Sequence, residues 1–212
     1  MDQSELMKFR QHPWHGLELG KLSPQIVNCY VEMVPTDTVK YEIDKVTGIL
    51  KVDRPQKYSS ICPSLYGFLP QTYAGEKVAK YCADKSGRSG LIGDGDPLDV
   101  CILTQNVIAH GDVIVRAIPI GGFRLLDGEE VDDKIISVMV DDLVFGNITN
   151  IDECPQSLIE QLRHYFLTYK DAPGKSSFQT EIIATYGREE AQKVIELGAM
   201  DYQDLIRHEK NY

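Results

Sequence analysis

Between residues 26 and 140 the chain consists of short β-branched and apolar runs, each cut off by Gly, Pro, Asp or Asn, and this punctuation limits the possible folds sharply. The runs fall at 26–34, closed by Pro35, at 39–43 and 48–53 around the turn residues 44–47, and at 100–104, 112–120, 122–126 and 135–140. In Val39-Lys40-Tyr41-Glu42-Ile43 the side chains alternate with the two-residue period of a strand, so 39–43 and 48–53 are expected to form a hairpin. Strands joined by short turns and long excursions, with no amphipathic crossover helix among them, predict a mainly β fold built on a small closed barrel rather than a doubly wound parallel sheet.

The tail is written differently. Pro155 stands where a first helical turn tolerates it, and Leu158, Leu162, Tyr165, Phe166 and Tyr169 then recur at spacings that keep one helix face apolar. A second, shorter helix is expected from Arg188 to about Leu197, where Gly198 ends it. These C-terminal helices are expected to pack outside the barrel, an α+β arrangement. The excursion 74–93, containing Gly, Lys and Ser, reads as a flexible functional or disordered loop. With 212 residues, 42% hydrophobic and 25% charged, the chain suits a single globular domain spanning 1–212.

A net charge of -10 argues against nucleic acid or an anionic membrane as partner, since both require clustered cationic side chains. The first ten residues carry Asp2 and Glu5 and no signal-like apolar stretch, and nowhere does the chain approach the roughly 18 apolar residues of a membrane span, so a cytoplasmic protein is expected. Cys29, Cys62, Cys82, Cys101 and Cys154 are odd in number, scattered and free of any Cys-x-x-Cys pair, which predicts reduced thiols rather than a disulfide framework or a zinc site.

The chemistry concentrates in Gly93-Asp94-Gly95-Asp96-Pro97-Leu98-Asp99-Val100. Three carboxylates within six residues repel one another unless a cation sits among them, and hard ions such as Mg²⁺ take oxygen ligands on tight turns of this kind. A plain polar turn uses the same residues. An EF-hand loop fails on spacing, because counting from Asp94 the twelfth position is Gln105 rather than a chelating Glu. An aspartyl-phosphate nucleophile is a rival reading, though Leu98 occupies the position where a hydroxyl or β-branched residue belongs. A second acidic group, Asp127-Gly128-Glu129-Glu130-Val131-Asp132-Asp133-Lys134, ends in a cation just before a strand. Lys40 and Glu42 share one strand face, and Glu32 on the preceding strand can lie close to them.

Together these segments resemble the soluble family I inorganic pyrophosphatases. Asp94-Gly95-Asp96-Pro97-Leu98-Asp99 is similar to the family signature Asp-(Ser/Gly/Asn)-Asp-Pro-x-Asp, and Lys40-Tyr41-Glu42 with Asp44-Lys45, Val52-Asp53-Arg54, Tyr66-Gly67, Asp127 with Asp132 and Lys134, and Tyr169-Lys170 follow in the family's order. The resemblance implies a five-stranded OB-like closed barrel, hydrolysis of inorganic pyrophosphate to two phosphates, several Mg²⁺ ions per site with Mn²⁺ or Zn²⁺ as possible substitutes, and a homo-oligomer. It also implies roles. Asp94, Asp99 and Asp132 resemble the ligands of the tightest metal, with Asp127 and Glu32 serving further ions. Asp96 resembles the group that orients or deprotonates the attacking water. Lys40, Arg54, Tyr66, Lys134, Tyr169 and Lys170 resemble the phosphoryl-gripping residues, with Glu42 a supporting acid. That set holds seven acids against four bases, so the site by itself is net negative. One departure is Cys62, where bacterial relatives often carry Tyr. Two other readings stand beside this one: a phosphatase of nucleotides or phosphate esters, and a non-catalytic OB-type binding module.

Overall fold

The computed structural model describes residues 12–170 and 180–209, so the N-terminal stretch read above as lacking a signal lies outside them. In chain order the strands are β1 (Val27–Met33), β2 (Val39–Ile43), β3 (Leu50–Pro55), β4 (Leu65–Phe68), β5 (Ile92–Gly93), β6 (Asp99–Leu103), β7 (Val113–Asp127), β8 (Glu130–Val131), β9 (Lys134–Met139) and β10 (Thr180–Gly187). The helices are α1 (Glu76–Ser86), α2 (Gln156–Thr168) and α3 (Arg188–Glu209).

β1, β4, β6, β9 and β7 pair in that order, and β7 pairs back onto β1, which closes a ring of five strands. All pairings in the ring are antiparallel except β6 with β9. This is the expected small closed sheet with its OB-like order and flanking helices. β2 and β3 form the expected hairpin, a two-stranded sheet separate from the ring.

The two-residue period of the strands divides the core. Val100 and Ile102 of β6 join a cluster with Val78 and Cys82 of α1 and Val194 and Ile195 of α3, while Cys101 and Leu103 point the other way, toward Ile159, Leu162 and Phe166 of α2. Each fully buried aliphatic or aromatic side chain stabilises the fold by roughly 2 kcal/mol, so both helical layers are held mainly by these faces.

Three expectations are corrected. Residues 112–120 and 122–126 are one strand, β7, with a register irregularity between Pro119 and Gly121 in its pairing with β9. Gly121 was read as a break, yet it serves close packing: a Cβ there would lie 2.5 Å from the Tyr186 carbonyl oxygen and 2.7 Å from Ile151 Cβ. The stretch 74–93 is not an irregular loop, since it contains α1; the buried stripe Val78, Ala79 and Cys82 is narrow and its capping partner is remote in sequence. α3 does not stop at Gly198 but runs to Glu209, because Gly198 packs against Leu98, where a Cβ would meet Leu98 Cδ1 at 2.5 Å. Among the described residues all five cysteines are buried and free, and no helix is long and apolar enough to cross a membrane.

Candidate active site

All thirteen residues singled out from the sequence line one pocket of about 230 Å³. A larger cavity, about 580 Å³, lies between residues 18–23 and α3 and holds none of them. The ring supplies Glu32 from β1, Tyr66 from β4, Asp99 at the start of β6, Asp127 at the end of β7 and Lys134 at the start of β9. The β2–β3 hairpin supplies Lys40, Glu42 and Arg54, the end of α2 leads into Tyr169 and Lys170, and Asp94, Asp96 and Asp132 sit on the connections before β6 and β9.

The closed ring explains the convergence. Parallel pairing sets Asp99 directly opposite Lys134, and antiparallel pairing sets Phe68 opposite Asp99, so the starts of β6 and β9 and the end of β4 meet at one rim. Lys134, 2% exposed, pairs with both Asp99 and Asp132. The Tyr66 hydroxyl donates to Asp99, and the Asp94 and Asp132 carboxyls share a hydrogen bond. In the same pocket Lys170 pairs with Asp127 at 2.5 Å, and Lys40 with Glu42 at 2.9 Å, as the shared strand face led us to expect. The Arg54 guanidinium lies 5.7 Å from the centre of the Tyr169 ring. Glu32, 5% exposed, accepts a hydrogen bond from the Ile43 N–H at 2.8 Å and so ties the hairpin to the ring.

In the signature turn, Gly95 adopts φ 77, a left-handed conformation that favours glycine. This turn lets the Asp96 N–H donate to Asp94 Oδ1 at 3.0 Å.

The electrostatics are those of an overloaded acidic cluster. Burial, then the charges of Asp132 and Asp99, push the Asp94 carboxyl up to about 9. Burial also raises Asp99 in spite of Lys134. Burial acts the same way on Asp132, but Lys134 and the neighbouring hydrogen bonds outweigh it and hold this carboxyl low. Glu32 is pushed up to about 8, chiefly by burial. Burial opposes the charge on Lys134, yet Asp132 and Asp99 raise it well above the ordinary lysine value.

Residues 29–203 match the inorganic pyrophosphatase family pattern. The inorganic pyrophosphatase of Chlamydia trachomatis is 52% identical over 200 residues, covering 92% of this chain and 95% of that protein. The chain belongs to the inorganic pyrophosphatase family. A soluble inorganic pyrophosphatase of Oryza sativa is 37% identical over 172 residues, covering 81% of this chain and 72% of its own. Among solved structures, the inorganic pyrophosphatase of Thermus thermophilus superposes with a TM-score of 0.73 at 26% identity, covering 88% of this chain and 97% of that one. As a member of the inorganic pyrophosphatase family the chain is an enzyme, a phosphoric anhydride hydrolase.

Two charged pocket residues carried no role from the sequence. Lys45, on the turn after β2, forms an ion pair with Asp96. It stood beyond the alternating part of the strand, although Lys40-Tyr41-Glu42-Ile43-Asp44-Lys45 contained it. Glu130 of β8 also lines the pocket; only the general acidity of 127–133 pointed to it. Cys62 is fully buried beside Tyr165, and burial pushes its thiol up to about 11, so in this inorganic pyrophosphatase family member it is an inert packing residue.

Proposed function

We propose that the chain hydrolyses inorganic pyrophosphate to two phosphates with water activated at a divalent-metal site, Mg²⁺ being the ion best matched to the donors. The observation that carries this reading is the gathering, in one pocket of about 230 Å³, of eight acidic and five basic side chains from distant parts of the chain. With acids outnumbering bases, the pocket offers no net positive field to a polyanion, so added cations are needed before pyrophosphate can enter.

The donor set fits such ions. Every anionic donor in the pocket is a carboxylate oxygen, the kind hard divalent cations prefer. Asp94, held up near 9 by burial and then by its acidic neighbours, marks the place where positive charge is wanted. Among the described residues no three His, Cys, Asp or Glu side chains already form a cage, and Lys134 stands between Asp99 and Asp132 as a competitor for both. Asp94, Asp99 and Asp132 would hold the first ion, with Asp127 and Glu32 serving others. When bound, the ions lower the pKa of a water from about 15.7 toward neutrality and neutralise charge on the phosphoryl oxygens.

The protein groups do the rest. Asp96, in the pocket lining and oriented by the Asp94 turn, takes or directs the proton of the attacking water, a task worth about two to four powers of ten in rate. Arg54 can grip two phosphoryl oxygens in a fork, while Lys40, Lys134 and Lys170 act as point charges on the substrate and the departing phosphate. Tyr66 and Tyr169 offer hydroxyl donors, and Glu42 holds Lys40 in place.

Phosphate release from pyrophosphate, ATP and a simple phosphate ester, each with Mg²⁺ and with excess chelator, tests the reading. Rapid release from pyrophosphate alone, abolished by chelation, is expected. Release that is unaffected by chelation, or that is faster from the ester, would refute it.

A further inference from the structure

The signature turn is held from behind. Its Asp96 carbonyl accepts a hydrogen bond from the Ala74 N–H at 2.8 Å, and its Gly95 N–H donates to the Ala74 carbonyl at 3.2 Å. Between Asp96 and Asp99, the Leu98 N–H donates to Thr72 Oγ1 at 2.9 Å, and the fully buried Thr72 hydroxyl in turn donates to the Leu69 carbonyl at 2.7 Å. Residues 72–74 are thus the template on which the three aspartates are laid.

That template hangs on α3. The Tyr73 N–H donates to the Gly198 carbonyl at 2.9 Å. Three residues along the same helix face, the Asp201 carboxylate is 4% exposed and caps the start of α1. It accepts hydrogen bonds from the N–H groups of Gly75 at 3.1 Å, Lys77 at 3.0 Å and Val78 at 3.0 Å. Gly75, the N-cap residue of α1, contributes no side-chain cap of its own, so this cap comes wholly from α3. Gly198 itself leaves room for Leu98, since a Cβ there would lie 2.5 Å from Leu98 Cδ1.

We infer that Asp201 and Gly198 are positioning residues for the acidic turn: through segment 72–75, α3 sets the spacing of Asp94, Asp96 and Asp99 and thereby the affinity for divalent metal. No ligand comes from α3. The inference rests on the reading of Asp94 and Asp99 as metal-binding groups. It follows because carboxylates that must share an ion tolerate little displacement, and the backbone carrying them is fixed by hydrogen bonds that end on this helix.

The test is Mg²⁺ titration calorimetry on the full chain, with thermal melting and the Mg²⁺ dependence of kcat measured alongside. Asp201→Asn should weaken Mg²⁺ binding about tenfold, the usual scale for a lost supporting contact behind a metal site, while kcat at saturating Mg²⁺ is nearly retained. Gly198→Ala separates positioning from stability. It raises helix propensity, so a purely structural role predicts unchanged or tighter binding, whereas pressure on Leu98 predicts weaker binding. As a control, Asp142→Asn damages another buried capping carboxylate next to the far end of β6 and should lower the Tm with Mg²⁺ affinity unchanged. Should Asp201→Asn fail to fold, Gly198→Ala decides. Mg²⁺ affinity within about twofold of wild type in both variants overturns the inference. A wild-type chain with no Mg²⁺ isotherm overturns the metal reading and this inference together; a normal wild-type isotherm with unchanged variants overturns this inference alone.

Discussion

Replacing Lys134 by Met removes the cation that pairs with both Asp99 and Asp132 while keeping most of the side-chain volume. Lys134 is 2% exposed and pairs with both carboxylates, so the variant leaves two buried anions beside the already overloaded Asp94. Breaking a buried pair from one side costs about 3–5 kcal/mol, because the partner charge stays desolvated and unmatched. The lower half of that range is expected, since one carboxyl can escape by binding a proton. At that scale the Tm should fall by roughly 6–16 °C for a chain of this size. The sign of the pH dependence follows. In the variant the acids have folded-state values raised above their unfolded ones, so they destabilise increasingly as pH rises from the unfolded carboxylate value of about 4 toward the raised folded value, and the deficit should shrink as pH falls to about 5. Mg²⁺ should close it as well, by replacing the missing positive charge. Urea unfolding of both proteins at about pH 7.5 and about pH 5, each with chelator and with Mg²⁺, measures these terms directly. A deficit under about 1 kcal/mol at the higher pH, or one that neither acid nor Mg²⁺ reduces, would refute the account of the cluster as charge-limited.

Three other outcomes follow from the same geometry. At fixed Mg²⁺, Asp99→Asn should lower kcat by about a hundredfold or more while Glu42→Gln costs far less, because Asp99 sits among the buried acids whereas Glu42 touches Lys40 on the half-exposed hairpin; steady-state phosphate release compares them. Gly121→Ala should destabilise by about 2–3 kcal/mol in urea melts, since its Cβ would overlap the Tyr186 carbonyl and Ile151. Asp142 accepts hydrogen bonds from Thr104, Gln105, Asn106, Val144 and Phe145, and against the cost of its own burial these contacts hold its carboxyl down at about 2. Its stabilisation is therefore present above the unfolded value near 3.8 and is lost as pH falls through 3.8 toward 2, so acid unfolding of Asp142→Asn should be flatter in that window.

Four of the five strands of the ring were legible because β-branched runs cut by turn residues state their own boundaries, as at 26–34 and 135–140. The acidic turn was legible because Asp94, Asp96 and Asp99 have no apolar reason to lie together. The residues that were hard to read are those whose role is set by a distant neighbour. Gly121 and Gly198 look like a break and a stop in one dimension, yet each is the point where another segment comes close. β4 is only four residues long and centred on Gly67, which hides it from a propensity reading. α1 has a narrow buried stripe and a cap that arrives from Asp201, so nothing in 74–93 announces a helix. Lys45 lies on a turn whose local sequence says only that the chain reverses; its partner Asp96 is fifty-one positions away.

On the proposed metal-dependent reading, the division of charge between the two sheets follows from what each kind of group would do. Asp94, Asp99, Asp127 and Asp132, with Glu32, come from the ring or the connections at its rim, where neighbouring strands hold their backbones on several sides. Apart from Lys134, the cations come from outside it: Lys40, Lys45 and Arg54 from the separate hairpin, and Lys170 from beyond α2. Carboxylates that share a small ion must hold their mutual spacing to a fraction of an ångström, so they belong on the rigid element. Groups that hold a polyanion before and after its bond breaks must follow oxygens that move apart, so they can sit on elements joined to the ring by few contacts. Glu32 links the two sheets, because the carboxylate that faces the acidic pocket is also the acceptor that ties Ile43 of the hairpin to β1.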